Sequence, residues 1–191
     1  ITRIFGDEYN NNIKLIYGER VVLSEMWNVC YKNASADIYM HCGDDLRFRT
    51  EDWDKTVIDK FNEFEDKIAF LYGLDGLYTK KQRFGTHGFI HENWVKTIGY
   101  FVPPYFSSDF NDTWLNEVAH LIKRHIFIDI YTEHLHPFVG KHIWDKTHRE
   151  RLERHKKDNV QELYDSMIDK RKLDAEKLQN FINNFKKGEN L

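Results

Sequence analysis

Short apolar runs, each closed by glycine or aspartate and separated by stretches with helical apolar spacing, restrict this chain to an α/β fold. The run IKLIY at 13–17 stops at Gly18, DIYMHC at 37–42 stops at Gly43-Asp44-Asp45, and IAFLY at 68–72 stops at Gly73. Each has the length of a strand and is too short for a helix. Between them, Met26, Trp27, Cys30 and Tyr31 share one helical face behind Ser24, a residue suited to an N-cap. Val57, Ile58, Phe61 and Phe64 line a second face between Trp53 and Lys67. Strand, helix, strand, helix, strand predicts a mainly parallel sheet flanked by helices.

Beyond Gly76 the residues 79–93 read as loop, and Pro103-Pro104 marks an extended turn. Trp114, Leu115, Val118, Ala119 and Ile122 predict a helix over 112–124, and IFIDIY at 126–131 predicts another strand. Charged residues dominate after about residue 145, so 146–191 reads as a charged C-terminal extension of amphipathic helices packing back on a domain formed by 1–145. With 41% hydrophobic and 31% charged residues, the 191-residue chain has material for one sizeable core. A net charge of −3 gives no basic field for nucleic acid. No stretch is long and apolar enough to span a bilayer, and the first residues lack the pattern of a signal peptide. Two cysteines, Cys30 and Cys42, predict reduced, buried thiols and a cytoplasmic setting.

Asp44 and Asp45 follow a strand directly, the place where open α/β sheets expose polar groups to a ligand crevice. Adjacent carboxylates repel unless donors or a cation offset them, so the pair reads either as a turn or as ligands for a hard ion such as Mg²⁺ or Mn²⁺. His134 and His136, two apart after a strand, project to one side and could bind metal or simply pack, with Glu133 as a further ligand or an imidazole partner. Asp109 and Asp112 precede a helix and read as N-caps or as a general base. The basic run Lys141 to Lys157 reads as a solvated face, or as a source of phosphate contacts through His142, His148 or Arg149.

Arg20-x-x-Leu23-Ser24-x-x-Trp27-Asn28, Ala36-Asp37-Ile38-x-Met40-x-x-Gly43-Asp44-Asp45, Trp53-Asp54 and Leu71-Tyr72-Gly73-x-Asp75 resemble glycosyltransferase family 2 type enzymes of the GT-A fold. The likeness continues through Thr86-His87-Gly88-Phe89-Ile90, Phe106 to Leu115 and Glu133-His134-Leu135-His136-Pro137, covering about residues 13–145. It implies a Gly-Asp-Asp variant of the DxD motif, with Asp45 on a divalent metal and Asp44 on donor ribose, sugar or metal. It implies a base at Asp112, or less well at Asp109, and a late metal ligand at His134 or His136. Only 43 residues precede Asp44, so the first nucleotide-binding βαβ segment of the family is expected to be missing from this stretch, as in a truncated or partial member.

The resulting expectation is a metal-dependent inverting transferase. It would move a sugar from a nucleotide-diphosphate donor, a UDP-sugar, to a hydroxyl of a carbohydrate or glycoconjugate acceptor, using Mn²⁺ or Mg²⁺. Arg20 and Asn28 belong to the donor-binding set, and Arg83, His87 and Gly88 of loop 79–93 would border donor and acceptor. Two rivals remain. One is a zinc-type metallohydrolase built on Asp44, Asp45, His134 and His136; the other is a noncatalytic carbohydrate-binding or interaction module on the same fold, with exposed Tyr105 and Phe106.

Overall fold

The computed structural model describes residues 14–188. Five strands, β1 (Ile38–Met40), β2 (Leu46–Phe48), β3 (Phe70–Leu74), β4 (Gly88–His91) and β5 (His125–His134), form one sheet in the order β1-β4-β3-β5-β2. Among the described residues seven α-helices accompany them: α1 (Leu23–Lys32), α2 (Trp53–Asn62), α3 (Glu92–Ile98), α4 (Asn111–Leu121), α5 (Lys146–Lys157), α6 (Val160–Ser166) and α7 (Ile168–Lys187). The class is α/β, as the alternation predicts, but the sheet is mixed rather than mainly parallel. Only β3 and β5 pair in parallel, whereas β1–β4, β3–β4 and β2–β5 are antiparallel. Two strands hidden from the sequence reading account for the difference. β2 has only three residues, and β4 lies inside 79–93, read as loop, with its first position a glycine.

Other boundaries moved for identifiable reasons. Residues 14–17 form no strand, and Ile13 lies outside the described residues. Ser24 is not a cap: it sits inside α1 and its hydroxyl donates to the carbonyl of Phe106 at 3.0 Å. Gly73 does not end β3. It lies within the strand, where a Cβ would run into Ile130 of β5, and the ladder shifts register between Tyr72 and Leu74. A glycine inside a strand here marks close approach of two backbones, not a stop. Cys30 and Cys42 are exposed and unpaired, not buried.

The core lies on both faces of the sheet. On one side Phe70, Tyr72 and Ile90 pack with Trp94, Trp114, Leu115 and Val118, and Ala175, Leu178 and Ile182 of α7 join the same cluster. The charged C-terminal region thus contributes to the central core. On the other side Val57 and Phe61 of α2 meet Leu71, Phe89, Ile128 and Ile130. No helix among the described residues is long and apolar enough to cross a membrane.

Strand direction places the site. Because β1 and β3 both run opposite to β4, and β5 runs with β3, the C-terminal ends of β1, β3 and β5 reach the same edge of the sheet as the start of β4. At Gly88, the first residue of β4, a Cβ would collide with the ring of Phe70, which is fully buried. Gly88→Ala is therefore expected to cost about 2–3 kcal/mol by overpacking. In thermal unfolding this is a fall in Tm of roughly 4–12 °C.

Candidate functional site

A cleft of about 730 Å³ opens at that edge, within the size range of small-molecule sites. His41 to Asp45 leave the end of β1, Asp75 follows β3, Thr86 and His87 precede β4, and His134 to His136 end β5. Asp45 and His134 are 89 residues apart, yet the Asp45 carboxylate accepts from His134 Nε2 at 3.1 Å. The β2 ladder enforces this proximity, since Leu46, the residue after Asp45, stands opposite His134 in the β2–β5 register. The N–H of Leu135 also donates to the carbonyl of Asp45 at 2.8 Å. The His134 interaction holds the Asp45 carboxyl below its ordinary pKa.

Asp75 organises the remainder of the edge. Its buried carboxylate accepts from the backbone N–H groups of Leu77 and Tyr78 and from the Thr86 hydroxyl at 2.6 Å. Its carbonyl accepts from the N–H of His134 at 2.8 Å. One residue thereby fixes both histidine-bearing segments. His87 stands with its ring centroid 4.7 Å from that of His134, and His136 lies 4.9 Å from His134 on another side. Burial pushes His87 down to about 3 and His136 down to about 4, so both rings are neutral at ordinary pH.

The two histidines after β5 differ in what they can offer. His136 Nδ1 accepts from the N–H of Phe138 at 3.2 Å, capping a 3-10 turn. A neutral imidazole that accepts at Nδ1 carries its proton at Nε2, so His136 presents a hydrogen-bond donor, not a metal ligand. His134, beside Asp45, retains an Nδ1 without a partner. Glu133 joins neither, because it is paired with Arg49 at 2.6 Å and Lys141 at 2.7 Å.

The two candidate bases separate equally clearly. Asp109 is held by Arg151 at 3.1 Å and His155 at 2.6 Å, which commits both of its oxygens. Asp112 sits in the first turn of α4, its carboxylate accepting from the Thr113 N–H at 2.8 Å, and has no cation against it among the described ion pairs. Burial pushes Asp112 up to about 6, with the charge of Asp109 adding to the effect. Neither aspartate is an N-cap; that position belongs to Phe110, with φ 72°.

Helix α5 supplies the cleft's basic wall. Thr147, His148, Arg151 and Arg154 line it, and Arg20 also lines the cleft, paired with Glu150 of α5. No residue of α5 is buried. Of the phosphate-contact candidates in the basic run, only His148 lines the cleft; Arg149 donates to the carbonyl of Trp144 and His142 is exposed. The reading of the run as a solvated face concealed Arg151 and Arg154, whose i, i+3 spacing on one helix side was the available signal.

Other expected site residues lie elsewhere. Asp44 is exposed and does not line the cleft. Asn28 spends its amide on the backbone, donating to the carbonyls of Ser24 and Val102 and accepting from Phe101 N–H. Arg83, with φ 50°, stands near Tyr72, His120 and His125, away from the cleft. Gly88 serves packing. Phe106 is buried and Tyr105 is packed against Trp114, so neither is an exposed aromatic.

Eight buried side-chain nitrogens and oxygens without a hydrogen-bond partner line this one cleft. They are both ring nitrogens of His87, one oxygen each of Ser107, Ser108 and Asn111, and one nitrogen each of His134, Arg151 and Arg154. Unpaired buried polar atoms cost about 1–3 kcal/mol each, so these groups need a partner from water or from a polar ligand entering the cleft. Asp45 and His134 could hold a divalent cation in cis only with the His134 proton moved to Nδ1, which frees Nε2 as a ligand; two ligands at about 2.1 Å and a right angle stand about 3 Å apart. No three His, Cys, Asp or Glu side chains among the described residues are already gathered as a metal-holding group. Comparison of the chain with known protein families, curated proteins and solved structures returned no match.

The raised proton affinity of Asp112 makes a stability prediction. Its folded-state pKa of about 6 lies above the ordinary value of 3.8, so the folded protein resists ionisation and loses stability as pH climbs from about 4 through 6. Asp112→Asn removes that loss. Urea unfolding should show the variant about 1–2 kcal/mol more stable at pH 7.5, allowing for partial exposure, and nearly equal to wild type at pH 4.

Proposed function

We propose that this chain is a metal-dependent inverting glycosyltransferase that moves a sugar from a nucleoside-diphosphate donor, a UDP-sugar, to the hydroxyl of a carbohydrate acceptor. The observation that carries the reading is the meeting, in one cleft, of three chemically distinct groups. These are the Asp45–His134 pair, the elevated Asp112 carboxylate, and the unpartnered Arg151 and Arg154 nitrogens. The order of short motifs resembling the GT-A enzymes of family 2 supports it from the sequence side.

Each group has a role in such a transfer. Asp112 accepts the proton of the acceptor hydroxyl as its oxygen bonds to the anomeric carbon, and the bond from that carbon to the diphosphate oxygen breaks on the opposite face. Arg151 and Arg154 bind the departing diphosphate, and His136 donates from Nε2 toward the same anion. Asp45 and His134 are the residues that would hold a divalent ion, which when bound would add positive charge beside the phosphate oxygens. Asp109 keeps Arg151 oriented, with its two oxygens on Arg151 and His155.

Calorimetric titration of UDP tests the reading. Wild type should bind UDP tightly only with Mn²⁺ present, and Asp45→Asn should abolish the metal-dependent part. Tight Zn²⁺ binding with no response to nucleotide would favour the hydrolase instead, and nucleotide binding indifferent to Mn²⁺ would favour a noncatalytic module. Transfer or donor hydrolysis should rise as pH increases through about 6 and then level off, following ionisation of Asp112. Asp112→Asn should lower the rate roughly 10²–10⁴-fold while leaving UDP affinity within about threefold.

A further inference from the structure

The unpartnered atoms of the cleft do not all call for the same ligand. Those on α5, the Nε groups of Arg151 and Arg154, are donors on cations and suit phosphate oxygens. The turn that leads into α4 offers a different set. Ser107 Oγ and Ser108 Oγ can each donate and accept, whereas Asn111 Oδ1 only accepts. The direction of the Asn111 amide is fixed, because its Nδ2 donates to the carbonyl of Ser108 at 3.2 Å. Ser108 is 7% exposed and Asn111 4%, and both line the cleft. The fold therefore holds two buried oxygens at the cleft wall with no protein partner for either.

An anion does not fit this turn. It would meet the lone pairs of Asn111 Oδ1, with the carboxylates of Asp109 and Asp112 lining the same cleft within two residues. A neutral hydroxyl does fit, since it can donate to Asn111 Oδ1 and accept from a serine O–H, and two hydroxyls on adjacent carbons can engage both kinds of group. Apolar surface adjoins the turn. The Ser24 hydroxyl ties α1 to the carbonyl of Phe106, the residue before Ser107, at 3.0 Å. Leu23 and Met26 of that helix line the cleft while 40% and 47% exposed, and Trp27 lines it beside them. The Trp27 indole N–H is spent on the Cys42 carbonyl at 3.1 Å, so its contribution to the cleft is carbon. A polar edge next to an apolar wall matches a pyranose, which carries hydroxyls around its rim and C–H groups on its faces. We propose that the turn 107–111 is a subsite for a neutral pyranose, holding two adjacent hydroxyls through Ser107, Ser108 and Asn111 with the ring against α1. Asp112 directly follows Asn111, so the sugar held here is the acceptor; that role, unlike the binding itself, rests on the transferase reading above.

Saturation-transfer NMR with methyl β-glucopyranoside, methyl β-galactopyranoside and methyl α-mannopyranoside, without nucleotide or metal, tests the subsite. At least one glycoside should receive saturation from the wild-type chain, and inorganic phosphate should not displace it. Ser108→Ala deletes a hydroxyl that bonds to nothing in the protein, so Tm should hold or rise while glycoside binding weakens about five- to tenfold, the worth of one neutral hydrogen bond. Ser107→Ala should act in the same way, and it decides the matter if Ser108→Ala fails to fold. No transfer to any of the three glycosides, displacement by phosphate, or wild-type affinity in both serine variants would overturn the subsite. A response to UDP-glucose but to no free glycoside would assign the turn to the donor's sugar and overturn the acceptor role. Serine-dependent glycoside binding in a chain that binds no UDP with Mn²⁺ would uphold the subsite and sink the transferase.

Discussion

The end of β5 is gripped from two sides, and the candidate site depends on that grip. The backbone N–H of His134 donates to the carbonyl of Asp75, while its ring reaches the carboxylate of Asp45 across the β2 ladder. Two segments remote in sequence are thereby registered against one strand. A sheet with three strand ends on one edge provides the platform, and the buried Asp75 carboxylate sets the loop between β3 and β4. Loss of that carboxylate would leave the Thr86 hydroxyl and two backbone N–H groups without their acceptor at once.

The same edge separates charge by environment. Asp45, Asp109 and Asp112 line one cleft, yet each carboxylate meets a different partner: an imidazole, an arginine with a second imidazole, and for Asp112 the N–H of Thr113. Burial without a cation is what lifts Asp112 toward neutral pH. Three identical functional groups are thus given three reactivities by their surroundings.

Periodicity revealed the long elements well. α1, α2, α4 and β5 are legible because each element runs ten or eleven residues, long enough for its apolar residues to mark a helical face or a strand run. β2 and β4 were not, since three or four residues give no period and Gly88 removes a side chain from the pattern. That loss turned a mixed sheet into an expected parallel one. Asp45, Asp112 and His134 are legible as chemistry following strands or opening helices, whereas His87 enters only through the family resemblance, as part of loop 79–93. Their partners were not, because the distinction between Asp109 and Asp112 is made by α5, and that between His134 and His136 by one hydrogen bond to Phe138. Asn28 and Arg83 carried suggestive side chains that packing directs to other work.

The cleft's walls are unlike in how they are attached. The strand-end wall is anchored by buried backbone ladders, whereas α5 has no buried residue and reaches across through Asp109–Arg151, Asp109–His155 and Arg20–Glu150. Contacts of the second kind weaken with dissolved electrolyte and those of the first do not. Ionic strength therefore acts more on the ion pairs that hold α5 than on the ladders that hold the strand ends.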